Sequence, residues 1–131
     1  MSELRTDTIT ASDGTSPVTL TKQYTVKSWV NFNSTGTIAI TQSDGVSSIS
    51  DNGQGDYSIS HTNAFANSGY AVTGSKSYSV LTNPNSWWIK IRNTSNLTTT
   101  SVRVNSGYTL DTFTGLQDSE YNAVVNNGDL A

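Results

Sequence analysis

Apolar residues in this chain recur at every second position, in short runs broken by Gly, Asn, Asp and Ser. Period two sends successive side chains to opposite faces of an extended backbone, so the pattern describes half-buried strands. In Thr25–Phe32 one face carries Val26, Ser28, Val30 and Phe32, and the other carries Thr25, Lys27, Trp29 and Asn31. Residues 37–41 alternate in the same way behind the turn Asn33-Ser34-Thr35-Gly36. Further strands are expected over 46–50, 57–61, 70–73, 76–81, 87–92 and 100–105, with a weaker one over 108–113. The strands follow one another at hairpin spacing, with no room for crossover helices, which points to antiparallel sheets. The expected fold class is all-β: an antiparallel β-sandwich or a jelly-roll-like domain. One short helical turn is expected over 118–124, capped by Asp118 or Ser119.

The composition agrees with such a fold and narrows its partners. Ser, Thr, Asn and Gly number 20, 20, 13 and 10, close to half of the 131 residues. Thr forms strands well and suits a solvated sheet face. Charged residues make up only 13%, and the net charge is −3, which argues against a nucleic-acid partner. No run of 18 apolar residues exists, so no membrane insertion through a helix is expected. Met1–Asp7 lacks the apolar core of a secretory signal, and the chain has no Cys for disulfides or thiolate metal sites.

The two ends read differently from the middle. Residues 1–23 carry few apolar groups (Leu4, Ile9, Val18 and Leu20), and the segment from Asp118 to Ala131 is acidic. Neither has the apolar area to fold alone. The expected organisation is an extended N-terminal docking arm over 1–23, a sandwich over 24–117 and a C-terminal tail over 118–131. No internal repeat of fixed period stands out, which argues against a solenoid.

Catalytic chemistry is thinly supplied. There is one His and no G-x-S-x-G elbow. His61 shares the parity of Tyr57 and Ile59, so it is read as a core-facing structural residue. No enzyme activity, cofactor or metal is expected. The stretch Asp51-Asn52-Gly53-Gln54-Gly55-Asp56 resembles a calcium loop only superficially. It lacks alternating oxygen ligands and a closing Glu, and its glycines suit a plain hairpin connection. Sequons at Asn33, Asn93 and Asn96 occur at the frequency expected by chance in so Ser/Thr-rich a chain.

The tryptophans are the better candidates. Trp29 alternates with Lys27 and Asn31, and Trp88 with Lys90 and Arg92, whereas Trp87, Ile89 and Ile91 form an apolar row. An aromatic on a polar face beside cations has the composition of an interface anchor or a ligand platform. Trp29, Lys27, Trp88, Lys90 and Arg92 are therefore the candidate interface or ligand contacts, with subunit packing the favoured role.

Three segments resemble one family. Lys27-Ser28-Trp29-Val30-Asn31-Phe32-Asn33-Ser34-Thr35-Gly36-Thr37 is similar to the K-x-W-[VL]-N-F-[ND]-x-T-G-T segment of small tail-fibre and related virion proteins of bacteriophages. Val46–Tyr57 resembles the V-S-S-I-x-D-N-G-x-G-D-Y stretch of the same family, and Asn63–Tyr70 its next block. Leu4–Ile9 looks like the opening of such proteins. The resemblance implies a virion structural role, commonly a tail-fibre or receptor-binding component assembled as a trimer. It also implies other virion proteins as partners, a host surface glycan or receptor as target, and assembly in the bacterial cytoplasm. It supplies no catalytic residues. A capsid decoration or head-fibre protein is the alternative, and a carbohydrate-binding module with Trp29 and Trp88 as stacking platforms is a further one.

Overall fold

A computed structural model describes residues 26–77, 86–110 and 113–129, which form an all-β sandwich of two antiparallel sheets. The strands are β1 (Val26–Asn33), β2 (Ala39–Asp44), β3 (Val46–Asp51), β4 (Asp56–His61), β5 (Ala71–Ser77), β6 (Ser86–Ile91), β7 (Ser101–Leu110), β8 (Phe113–Leu116) and β9 (Tyr121–Asn127). One sheet has the order β2-β1-β9-β5 and the other β3-β4-β7-β6, with β8 pairing the second half of β7. Most of the strands expected from period two are present. The proposed arm over 1–23, and residues 78–81 of one expected strand, lie outside the described residues.

The alternating rows meet between the sheets. Val30 and Phe32 of β1 and Val124 of β9 pack against Tyr57 and Ile59 of β4 and Val102 and Val104 of β7, all buried. Each such side chain removed from water contributes roughly 1.5–3 kcal/mol, which is the main favourable term holding the two sheets together. The Phe32 and Tyr57 rings bridge the sheets edge to face, with centroids 5.1 Å apart.

Three expectations are corrected. The strand expected over 70–73 and the start of the one expected over 76–81 are a single element, β5, unbroken from Ala71 through Gly74 to Ser77. The strands over 100–105 and 108–113 are not separate elements: β7 runs unbroken from Ser101 to Leu110, and β8 begins at Phe113. Gly107 sits in mid-strand because the Trp88 indole needs its space. A Cβ at 107 would lie 2.5 Å from Cζ2 of Trp88. The boundary at 117/118 likewise runs through the sandwich. Residues 121–127, read as part of a helical turn and a tail, are β9, an interior strand hydrogen-bonded to β1 on one side and β5 on the other. Its inward row is Asn122, Val124 and Asn126, all buried, so two amides disguise a core strand as a polar segment.

Candidate functional site

The sandwich has two outer faces, and the five candidate contacts divide between them. Lys27 and Trp29 stand on the outer face of the first sheet, because Ser28, Val30 and Phe32 take the inward positions of β1. Trp29 is half-buried, with Asp44 and Val125 as its register neighbours on β2 and β9. Tyr121 lies exposed on the same face, and its hydroxyl approaches the Asn31 side chain at 3.5 Å. Trp88, Lys90 and Arg92 belong to the outer face of the other sheet, since Ile89 and Ile91 pack on the core. One ligand cannot use both tryptophans as a single platform.

Around Trp88 the second sheet is shaped to hold an aromatic. Gly107, its register partner on β7, leaves the gap that the six-membered ring of the indole fills. The Lys90 ammonium sits over the ring, 4.3 Å from its centroid. At an exposed site such a cation–π contact contributes about 0.5–1 kcal/mol. A sugar stacking on that ring would have to displace the ammonium.

Arg92 is not a free cation either. Its Nη1 donates to Oδ2 of Asp56 at 2.9 Å, while Arg103 holds the same carboxylate through Nε (2.7 Å to Oδ1) and Nη2 (2.9 Å to Oδ2). Register explains the convergence: Asp56, Arg103 and Arg92 all project from the solvent side of β4, β7 and the end of β6. The Arg103 hydrogen bond, only partly opposed by burial, holds the Asp56 carboxyl below the usual carboxylate range. Asp56 and Arg103 were not among the sequence candidates. The signal that could have found them is parity, since Asp56 and Ser58 oppose Asn105 and Arg103 once β4 and β7 are paired.

The Asp51–Asp56 stretch is the hairpin connection between β3 and β4. The Asp51 carboxylate accepts from the Gly53 N–H at 2.8 Å, and Asn52 N–H and Asp56 N–H close the turn on Asp56 and Gly53 carbonyls. Gly55 has φ +63°, and a Cβ there would come within 2.3 Å of the Ser106 carbonyl oxygen, so only glycine fits. Its N–H donates to Asp118, which also accepts from the Tyr57 hydroxyl at 2.7 Å. Two sequon asparagines are local caps: Asn33 accepts from Thr35 N–H, and Asn93 from Asn96 N–H.

Both ends of the core are polar. At one, His61 lies buried between Ser28 Oγ (3.2 Å from Nδ1) and the Tyr70 hydroxyl (3.1 Å from Nε2), with the Phe65 ring edge-on at 4.9 Å. Burial holds its pKa below the ordinary 6.5. At the other, the Asn122 amide donates to Ser34 Oγ and the Ser119 carbonyl and accepts from Ser106 Oγ. Beside it, Lys76 turns inward, donates to the Gln117 carbonyl at 3.0 Å and lies 5.2 Å from the Trp87 ring centroid. Desolvation brings its pKa down to about 8, an effect partly offset by Asp118. An open depression of about 360 Å³ lies beside the His61 end, lined among others by Asn67, Tyr70, Asn127 and Asp129. Among the described residues, no three His, Cys, Asp or Glu side chains are grouped to hold a metal ion.

Comparisons with protein-family models, with curated proteins and with solved structures find no match.

Proposed function

We propose that the chain is a structural component of a bacteriophage virion, foremost a tail-fibre or tail-associated component that takes part in host attachment. One observation carries the reading. The three segments that resemble phage virion proteins fall, in order, on connected parts of one scaffold. The first covers β1 and the turn after it, the second the β3–β4 hairpin, and the third the loop that brings Phe65 and Tyr70 over His61. Within these segments Val30, Phe32, Gly55, Tyr57, Phe65 and Tyr70 build the core or fix its turns. The likeness also takes in Lys27, Trp29 and Asn31 on the outer face of β1, so it covers the core, its turns and part of one face.

In this reading the partners are other virion proteins and further copies of the chain, arranged as a trimer, with a host surface glycan or receptor as the eventual target. Trp29 and Tyr121 on one face, and Trp88 with Lys90 on the other, are the two surfaces available for such contacts. The location is the virion, assembled in the host cytoplasm. The test is the copy number per particle, from quantitative mass spectrometry of purified virions with the major capsid protein as reference. A count in the tens or below, divisible by three, is expected. A count in the hundreds would move the protein to the capsid as a decoration or head-fibre component, and absence from particles would overturn the reading.

A further inference from the structure

The His61 end of the core is a continuous hydrogen-bonded chain with a direction. Tyr70 has one hydroxyl proton, directed to the carbonyls of Thr98 (3.0 Å) and Ser101 (3.1 Å), so its oxygen is left to accept from His61 Nε2–H. Nδ1 is then the bare nitrogen and accepts from Ser28 Oγ–H, while Ser28 Oγ accepts from the Asn126 amide at 2.9 Å. The Ser28 link needs the neutral imidazole with its proton on Nε2, because only a bare Nδ1 accepts the Ser28 hydroxyl proton.

That chain joins four parts of the fold. Ser28 and Asn126 belong to β1 and β9 of one sheet, His61 to β4 of the other, and Tyr70 closes the 62–70 loop. The loop is otherwise held by few groups: Thr62 N–H to Gly45, Phe65 N–H to Thr99 and Ala66 N–H to Asp129, all through carbonyls. Its Phe65 and Tyr70 rings stack at 4.0 Å and each meets the imidazole edge to face.

We propose that this end of the sandwich is an acid-released latch, in which protonation of His61 frees the 62–70 loop and exposes the Phe65–Tyr70 pair beside the open depression. A second proton on the ring turns Nδ1 from acceptor to donor, so the bond to Ser28 reverses: Ser28 Oγ accepts from Nδ1–H as well as from the Asn126 amide, and its own proton must find another acceptor. The Asn126 Oδ1 atom, buried and without a partner, could take that proton only by rotation of an amide whose nitrogen would then be orphaned. The new charge finds no counter-ion among the described residues. Among the described residues the one titratable group touching the ring is the Tyr70 phenol, itself pushed up to about 12 by burial. Asp44 and Asp129, at the same end, are exposed, and Lys27 turns to the outer face. Opening the loop lets water solvate the imidazolium, while the apolar layer of Val30, Ile59, Val102 and Val124 behind it stays closed. The inference goes beyond the virion reading and does not depend on it.

Amide hydrogen exchange of the full chain at pH 7.5 and pH 5.0, corrected for intrinsic rates, tests the latch. If the closed state refuses the proton and the open state takes it near 6.5, opening of the loop rises by up to about 30-fold at pH 5.0. Protection should fall at 65–70 and not at 102–104, and His61→Gln, which keeps a donor for Tyr70 and an acceptor for Ser28, should abolish the difference. Because the chain has a single histidine, its imidazole resonance can be titrated in the unmodified protein even if that variant misfolds. A titration midpoint below 6.5 with loop protection lost in step supports the latch. A midpoint at or above 6.5, or unchanged loop protection at pH 5.0, overturns it.

Discussion

The two polar ends of the core solve one problem in different ways. Both must close a sandwich whose apolar middle is only two layers deep, and each uses a buried amide of β9, Asn122 at one end and Asn126 at the other. At the Asn122 end Ser34, Ser106, Ser119 and Asn122 exchange hydrogen bonds among themselves and with the backbone of Phe32, and Tyr57 and Gly55 converge on Asp118, with Gln117 Oε1 the buried atom left without a partner there. At the His61 end a single file of hydrogen bonds runs through one imidazole, and an amide oxygen of Asn126 goes unanswered. A mesh survives the loss of one strand of bonding or the gain of a proton elsewhere; a file does not. The difference separates a permanent closure from a conditional one.

The largest effect is expected from removing the buried amides of β9. Asn122→Ala should cost about 3 kcal/mol, because it orphans several buried partners at once. Asn126→Ala should cost about 1 kcal/mol, since a single donated bond is lost. Urea denaturation at pH 7.5 measures both, and equal costs would erase the distinction between mesh and file. On the outer face, Arg103→Ala should destabilise more than Arg92→Ala, because Arg103 donates two hydrogen bonds to the buried Asp56 carboxylate and Arg92 one. Denaturation midpoints of the two variants check the order.

The ends also answer to different pH windows. His61 has a folded pKa below its unfolded 6.5, so the unfolded chain binds the extra proton first and stability falls as pH drops below 6.5. Lys76, at the other end, has a folded pKa of about 8 against 10.5 unfolded. Between about pH 8 and 10 the unfolded chain therefore carries more protons, and raising the pH through that window stabilises the fold. Lys76→Met should remove the alkaline rise while leaving the acid fall, measured by midpoints from pH 5 to 10. An unaltered alkaline slope in that variant would show that the rise comes from elsewhere.

Much of this architecture could be read from the chain. The alternation of Val30 and Phe32 with Trp29 and Asn31 oriented β1 correctly, His61 fell on its core row, and the two glycines of the 51–56 stretch marked a hairpin. Parity also separated Trp88 from Ile89 and Ile91. What escaped was whatever the fold buries against type. Asn122 and Asn126 flank Val124 on the inward row of β9, so the strand shows two amides where a core row is expected to be apolar. The Ala123 and Val125 of its outward row blur the alternation further. Lys76, inward on β5, misleads in the same manner. Pairing between distant strands was not legible either, and without it the two tryptophan clusters could not be assigned to opposite faces, nor Asp56 joined to its arginines.

A segment that reads as a polar tail is thus the strand that joins β1 to β5 in the first sheet and supplies an amide to both ends of the core. Native-state amide exchange at pH 7.5 tests it without altering a residue. Protection at 122–126 equal to that at 30–32 and 102–104 is the predicted result. Exchange of the 118–129 amides near unprotected rates, with β1 and β7 still protected, would contradict it.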